Sequence, residues 1–224
     1  MTESSPIASS VVETPEDDTR ARIIQAAGEV FADHGFEGAK VRAITERAGV
    51  NVAAVNYHFR DKAELYKLVL LDACSIKTAF RETLAKAADA PEEQLRFLLH
   101  RFLAGLLDPD RPDWKRRLLA REMTMPTAAL DNLVEQNIRP FRDEFLTPVL
   151  QQLLGPGVSE REVKLTSSSV MSQCLYYLTC RPILERLNPG FKIARAEVNE
   201  IADHIANFSL GALRARRHAK NHRI

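Results

Sequence analysis

Residues 41–62 of the chain, VRAITERAGVNVAAVNYHFRDK, decide its fold. Apolar residues recur at helical spacing between Val41 and Ala48, which predicts a short first helix. Gly49 can adopt the positive φ that a tight turn between helices needs, and residues 52–57 predict a second helix too short to be stable alone. This order is typical of a helix-turn-helix unit, which places its second helix in a DNA major groove.

Two longer helices flank this unit. Asp61 can cap the N terminus of the following helix, with Glu64 at its third position as in a capping box, and the apolar pattern runs to about Lys86. Upstream, Pro15 suits the first position of another helix. The apolar pattern of that helix continues to about Gly35.

The rest of the chain is also predicted to be helical. Apolar residues at helical spacing indicate five further helices, over 91–107, 113–123, 124–154, 159–187 and 195–218. Pro140 and Pro148 lie inside the third of these, which predicts kinks there. No segment combines strict alternation with β-branched residues, so no sheet is expected.

The predicted architecture is therefore all-α, with about nine helices. Residues 1–14 are polar, rich in Ser and Thr, and expected to be a disordered tail. A three-helix helix-turn-helix domain follows over 17–77, with the motif itself at about 40–59. A C-terminal helical domain occupies 78–218.

Charge is spread unevenly along the chain. The net charge of +1, with 45% hydrophobic and 27% charged residues, describes an ordinary globular protein. Around the helix-turn-helix unit, however, basic residues outnumber the acidic Glu46 and Asp61; they are Lys40, Arg42, Arg47, Arg60 and Lys62. Such a local excess can serve phosphate contacts.

Cysteine usage and hydropathy predict a cytoplasmic protein. The chain has three cysteines, Cys74, Cys174 and Cys180. Their number is odd and their spacing is not that of metal ligands, which suits thiols in a reducing compartment. The N terminus does not have the pattern of a secretory signal. The sequence contains no run of about 18 apolar residues, so no membrane-spanning helix is expected. No metal site and no cofactor are predicted.

The stretch from Thr19 to Val69 resembles the N-terminal domain of TetR-type transcriptional regulators. The residues that carry the resemblance are Ala26-Ala27, Phe31, His34-Gly35-Phe36, Ile44, Ala48-Gly49-Val50, Asn56-Tyr57-His58-Phe59, Lys62 and Leu65. The chain has Asn56 where the family pattern often has an aromatic residue. The resemblance implies an all-helical, dimeric protein that binds operator DNA.

The residues expected to contact double-stranded DNA cluster on the second short helix and around it. They are Lys40, Arg42, Asn51, Val52, Ala53, Asn56, Tyr57, His58 and Lys62. Asn51 and Asn56 can hydrogen-bond to bases, whereas Val52 and Ala53 can only make apolar contacts. Tyr57, with His58 and Lys62, is expected to hold backbone phosphate. The alternative is that these are ordinary polar surface residues of a helical domain.

The C-terminal helices are predicted to enclose a chamber for a small-molecule effector. Its candidate residues are Phe97, His100, Trp114, Arg121, Met123, Phe141, Gln173, Tyr176 and Tyr177, with Phe102, Glu122 and Met125 as further possibilities. Core packing is the competing explanation for any one of these aromatic or methionine residues.

The last two predicted long helices carry apolar stripes that need a partner. Their candidate residues for a homodimer interface are Ser168, Val170, Cys174, Ile201, Ile205, Phe208 and Ala212. A four-helix arrangement, two helices from each chain, would bury them, and the TetR resemblance supports a dimer. Packing within one chain is the alternative.

Parts of the C-terminal half resemble the regulatory domain of CecR-type TetR regulators. The matching segments are Ala120-Arg121-Glu122-Met123, Ala129-Leu130-Asp131, Ile138-Arg139-Pro140, and Gln173-Cys174-Leu175-Tyr176-Tyr177 before Arg181-Pro182. This resemblance implies a repressor that a drug-like apolar compound releases from a pseudo-palindromic operator, and control of efflux or transport genes. A transcriptional activator, a dimer that responds to a protein, and an all-α enzyme with a DNA-binding domain are the other hypotheses. The absence of a nucleophile motif, phosphate loop or His/carboxylate cluster argues against an enzyme.

Overall fold

The structure is a computed structural model that describes residues 15–74 and 90–221. Within these two ranges every regular element is a helix and no strand occurs, which confirms the all-α prediction. The predicted tail over 1–14, and the part of the predicted fourth helix from residue 75 to Lys86, lie outside the described residues.

The helices of the first range are α1 (Pro15–Gly38), α2 (Val41–Ala48), α3 (Val52–Phe59) and α4 (Lys62–Ala73). Those of the second range are α5 (Pro91–Leu107), α6 (Asp113–Thr124), α7 (Ala129–Leu133), α8 (Thr147–Leu154), α9 (Glu160–Thr179), α10 (Arg181–Leu187) and α11 (Arg195–Asn221). Two π-helical segments, Val134–Ile138 and Phe141–Leu146, lie between α7 and α8.

The turn between α2 and α3 has the predicted glycine geometry. Gly49 has φ 67° and ψ 38°, in the left-handed region, and the Val50 amide donates to the Thr45 carbonyl at 3.0 Å. Arg22 of α1 donates from Nη1 to the Ala48 carbonyl at 3.2 Å. The carbonyl groups at the end of α2 therefore accept hydrogen bonds from the turn that follows and from a side chain of α1.

Two of the predicted helices are divided. In the predicted helix over 124–154, π-helical segments flank Pro140, which has no N–H to give to an α-helical hydrogen bond. The predicted helix over 159–187 breaks at Cys180, whose φ of −100° and ψ of 11° are not helical. The prediction of one helix was wrong there, because Pro182 cannot donate to the carbonyl four residues earlier.

The buried apolar residues form two clusters. One contains the cores of α5, α8, α9 and α11. The other contains the buried apolar residues of α1 to α4, and it also includes Trp114, Leu118 and Leu119 of α6. The helix-turn-helix unit therefore rests on a core that includes a helix from beyond residue 78.

Candidate nucleic-acid interface and ligand cavity

The α3 helix is held by its apolar residues and presents the rest of its surface outward. Val55 and Phe59 are buried, whereas Tyr57 is 75% exposed. The nine residues predicted to contact DNA are each exposed or half-buried. Six of them lie on α3 or at its N-cap, Lys40 and Arg42 lie at the start of α2, and Lys62 is the first residue of α4. An exposed short helix behind a glycine turn has the form of a major-groove reader.

Asn51 has a structural role that the sequence analysis did not assign. It is the N-cap of α3, and its side-chain Oδ1 accepts a hydrogen bond from the Ala54 amide at 2.9 Å. Its oxygen is therefore held in the helix cap, while its side-chain NH2 group can donate to a base or phosphate.

A tight turn at Arg60 sets the angle between α3 and α4. Arg60 has φ 66° and ψ −59°, a strained conformation for a residue with a Cβ, and the Asp61 amide donates to the Phe59 carbonyl at 2.8 Å. Asp61 then caps α4, as predicted, by accepting from the Glu64 amide at 2.9 Å. This backbone hydrogen bond lowers the pKa of the Asp61 carboxyl.

Besides Asn51, three polar residues predicted to hold DNA have partners within the chain. Arg42 pairs with Glu46 at 2.8 Å, and the Tyr57 hydroxyl donates to Glu16 at 3.1 Å, which raises the pKa of Tyr57. Lys62 lies with its Nζ 4.7 Å from the centre of the Phe36 ring. Exposed contacts of this kind contribute little, so phosphate can replace them.

An apolar cavity of about 240 Å³ lies where the two core clusters meet. Its lining residues come from the end of α4, from α5, α6 and α9, and from the π-helical segments; they are Ala73, Cys74, Phe102, Gly105, Leu106, Leu119, Met123, Ile138, Phe141, Arg142, Leu146, Ser167, Ser168, Met171, Leu175 and Leu178. Burial raises the pKa of the Cys74 thiol to about 11, so this side chain is uncharged at neutral pH.

Only part of the predicted chamber lines this cavity. Met123 and Phe141 do, with Phe102 from the further possibilities. The other candidates do not line this cavity, and their contact with an effector stays a prediction; they are Phe97, His100, Trp114, Arg121, Gln173, Tyr176 and Tyr177. The sequence identified apolar helices but could not show which side of each helix faces the void.

The polar candidates outside the cavity have other neighbours. His100 of α5 contacts Asp203 of α11 at 2.8 Å, and Gln173 donates to the Ser209 hydroxyl at 3.4 Å. Trp114 is buried against α1, where its indole N–H donates to Gln25 Oε1 at 2.9 Å.

The predicted chamber does not include the α9 wall of this cavity. Ser167, Met171, Leu175 and Leu178 recur at spacings of four, four and three, a helical stripe that was visible in the sequence. The sequence-based candidates from this helix are other residues: Gln173, Tyr176 and Tyr177 for the chamber, and Ser168, Val170 and Cys174 for the dimer interface.

The predicted dimer residues divide between the core and the surface. Val170, Cys174, Ile201 and Ile205 are buried in the chain's own core, which corrects their assignment, and Ser168 lines the cavity. Phe208 is 65% exposed, and Ala212 is also exposed. The outward face of α9 and α11 instead combines small residues with Leu165, Tyr176 and Phe208.

A buried carboxylate links α4 to α6. Glu122 accepts from the Tyr66 hydroxyl at 2.7 Å, from the Thr127 amide at 2.9 Å and from the Thr127 hydroxyl at 3.0 Å. Burial, and then Glu122, raise the pKa of Tyr66 well above its usual value. The helix that follows the DNA reader is therefore tied to a helix that lines the cavity.

Within the described ranges, no helix is long and apolar enough to cross a membrane. In the same part of the chain, no group of His, Cys, Asp or Glu side chains could hold a metal ion.

An exposed reading helix attached to a helical body with an apolar cavity defines a helix-turn-helix regulator of transcription. The family model of bacterial regulatory proteins of the tetR family matches residues 23–69. The model of the C-terminal domain of the HTH-type transcriptional dual regulator CecR matches residues 91–213, more than half of the chain. The chain belongs to the TetR family and has a CecR-type C-terminal domain.

Relatives agree with this assignment. The HTH-type transcriptional repressor AcnR of Corynebacterium efficiens is 34% identical over 97 residues, which are 43% of this chain and 45% of AcnR. The HTH-type transcriptional activator FasR of Mycolicibacterium smegmatis is 43% identical over 56 residues, which are 25% of this chain and 26% of FasR. The chain thus matches less than half the length of these two curated relatives, and both are transcriptional regulators rather than enzymes.

The fold has a counterpart among solved structures. A crystal structure of a mutant HlyIIR protein superposes with a TM-score of 0.60 at 26% identity, covering 83% of this chain and 96% of that one.

Proposed function

We propose that the chain is a transcriptional repressor that binds a pseudo-palindromic operator as a homodimer in the cytoplasm and is released by a small apolar effector. The observation that carries the DNA-binding part is the exposed α3 helix, which is anchored by Val55 and Phe59 and capped by Asn51. No cofactor is part of the proposal.

The exposed side chains of α3 suit a division of roles. Val52 and Ala53 can contact thymine methyl groups, and Asn56 can pair with an adenine edge. Tyr57 and Lys62 are proposed to hold phosphate, together with the surrounding residues Lys40, Arg42 and His58. Because few of these side chains can read bases by hydrogen bonding, most of the affinity is expected to come from phosphate contacts and to fall steeply with salt.

The outward face of α9 and α11 is the proposed dimer surface. Leu165, Tyr176 and Phe208 are large and exposed there, beside Ser169 and Ala212. Small residues let helices approach closely, and two helices from each chain would form a four-helix interface. Such a dimer presents two α3 helices to successive major grooves, about 34 Å apart.

The apolar cavity is the proposed effector site, and its walls suggest how release works. Ala73 and Cys74, at the end of α4, line the cavity together with Leu119 and Met123 of α6. Both helices also belong to the core beneath the DNA reader. An effector that spreads these walls would move α4 and change the separation of the two α3 helices.

The direction of regulation and the target genes are proposed on resemblance alone. Efflux or transport genes are the proposed targets. A transcriptional activator is the second candidate. The activator FasR is 43% identical to the chain over 56 residues, whereas the repressor AcnR is 34% identical over 97 residues. Reporter output after deletion of the gene separates the two, since loss of a repressor raises output and loss of an activator lowers it.

The DNA interface can be tested with genomic fragments that the purified full-length chain retains. Tyr57→Ala and Lys62→Ala are each expected to weaken DNA binding about fivefold on every sequence. Each should also reduce the slope of log affinity against log salt concentration by about 1, the loss of one phosphate contact. Asn56→Ala is expected to change the preferred base at one position. Affinity is measured by titration at several salt concentrations.

Two further variants serve as controls for this test. Lys192→Ala removes an exposed lysine outside the N-terminal helices and should leave affinity unchanged. Asn51→Ser keeps a residue that can cap α3, so it isolates any base contact from the loss of the helix cap that Asn51→Ala would cause. Unchanged affinity in both Tyr57→Ala and Lys62→Ala would refute the assigned interface.

The effector cavity can be tested with N-phenyl-1-naphthylamine, a neutral apolar compound whose fluorescence rises in apolar surroundings. Ser167→Leu places a larger side chain in the cavity wall and is expected to weaken binding of this probe at least tenfold. Gln152→Leu, at an exposed position of α8 that does not line the cavity, is the matched control and should bind as the original chain does. Equal binding by all three proteins would place the probe outside the cavity.

A further inference from the structure

A second cavity lies between the N-terminal helices and the loop from α6 to α7. Its volume is about 630 Å³, larger than that of the apolar cavity and within the range of small-molecule sites. The end of α1 and the start of α4 form one side, and Arg121 with the segment over 125–129 forms the other. We name it the junction groove.

Arg121 is the distinctive residue of the junction groove. Its guanidinium lies against Gly35, where a Cβ atom would come within 2.6 Å of Nη2, and Gly35 also has a φ of +70°. Arg121 is half-buried, and no hydrogen-bond or ion-pair partner for its side chain occurs among the described residues. A half-buried cation without a counter-ion favours an anionic ligand.

The walls around Arg121 are largely apolar. Phe36 and Ala63 lie on the N-terminal side, and Pro126 and Met125 lie opposite them. Met125 is 64% exposed, an unusual exposure for a large apolar side chain at the edge of a cavity. These walls can cover the apolar body of a ligand whose charged end lies at Arg121.

The remaining charges limit the ligand to a single negative charge. Lys67 also lines the groove, but its ammonium is paired with Glu64 at 2.7 Å. Glu37 contributes a carboxylate to the groove. A ligand with two or three negative charges would meet the Glu37 carboxylate. Of the basic side chains that line the groove, which are Arg121, Lys67 and His34, only Arg121 is a permanent cation without an ion-pair partner among the described residues.

We propose that the junction groove is a second ligand site of this chain, for a small carboxylate with an apolar body. The carboxylate pairs with Arg121, and the body packs on Phe36 and Met125. Tyr66 lines the groove and donates to the buried Glu122, so the ligand lies beside the link between α4 and α6. The site is separate from the apolar cavity, which shares none of its lining residues.

Octanoate is the probe for this site, and saturation-transfer NMR on the full chain measures its binding. Arg121→Gln is expected to weaken octanoate about tenfold, the loss of one charge-assisted contact of about 1.4 kcal/mol. Met125→Glu, at an exposed position where folding is not at stake, should weaken it similarly by repelling the carboxylate. Citrate and inorganic phosphate should show no comparable binding.

Matched variants separate this site from the effector cavity. Arg139→Gln removes an exposed arginine that does not line the groove, and Ser167→Leu alters the apolar cavity. Both variants should bind octanoate as the original chain does. Octanoate should not displace N-phenyl-1-naphthylamine. Three results would each overturn the proposal: no octanoate binding at all, an octanoate affinity in Arg121→Gln and Met125→Glu equal to that of the original chain, or loss of octanoate binding in Ser167→Leu. None of them would affect the DNA-binding function.

Discussion

Replacing Glu122 by alanine is expected to lower the free energy of unfolding by about 3 kcal/mol. The side chain is 0% exposed, and its carboxylate accepts hydrogen bonds from the Tyr66 hydroxyl and from both the amide and the hydroxyl of Thr127. Removing it leaves buried donors without an acceptor and opens a void between α4 and α6. Urea denaturation at a fixed protein concentration measures the loss.

Two variants show whether the loss comes from this network. Glu135→Ala removes an exposed glutamate that pairs with Arg139 at 2.6 Å, and it should change stability by less than about 0.5 kcal/mol. Tyr66→Phe should cost about 1 kcal/mol alone and much less in the Glu122→Ala background, since the two share one hydrogen bond. Additive losses, or a Glu122→Ala loss as small as that of Glu135→Ala, would contradict the assignment.

The N-terminal helices could be predicted from the sequence because local interactions specify them. Gly49 needs its positive φ within its own turn, and Asp61 caps α4 through an amide three residues away. Ser159 caps α9 in the same local way, by accepting from the Glu162 amide at 3.2 Å. Each of these features involves residues within one or two turns, so residue type and spacing are sufficient.

The cavity and the links between helices could not be predicted, because they depend on residues far apart in the chain. Tyr66 and Glu122 are separated by 56 positions, and no local pattern pairs them. Cys174 and Ile205 lie on apolar stripes that suit either a partner chain or the chain's own core. Only the packing of α9 and α11 against α5 and α8 decides between those two uses.

Asn51 illustrates a different limit of sequence reasoning. An asparagine before a short helix suits both a base contact and a helix cap, and both readings use the same side-chain chemistry. The 2.9 Å hydrogen bond from the Ala54 amide assigns its oxygen to the cap. The sequence alone contains nothing that distinguishes the two.

Replacing Gly28 by alanine is expected to destabilise the chain by about 2 kcal/mol, although alanine is the better helix former by about 1 kcal/mol. A Cβ atom at Gly28 would lie 2.4 Å from atoms of the Trp114 ring. Trp114 is only 3% exposed, and its indole N–H is held by Gln25, so the ring has little room to move. The clash would separate α1 from α6, the helix that belongs to the N-terminal core and also lines the apolar cavity.

The test of this contact is a set of urea denaturation curves with one glycine as its control. Gly38→Ala, where the new Cβ would meet only the His34 Cβ at 3.5 Å, should leave stability unchanged or slightly raised. Trp114→Leu is destabilising by itself, but the Gly28→Ala, Trp114→Leu double variant should be about 1–2 kcal/mol more stable than the sum of the single losses implies. Strict additivity would mean that Trp114 yields to the new methyl group, and that α1 and α6 are less rigidly joined than their packing indicates.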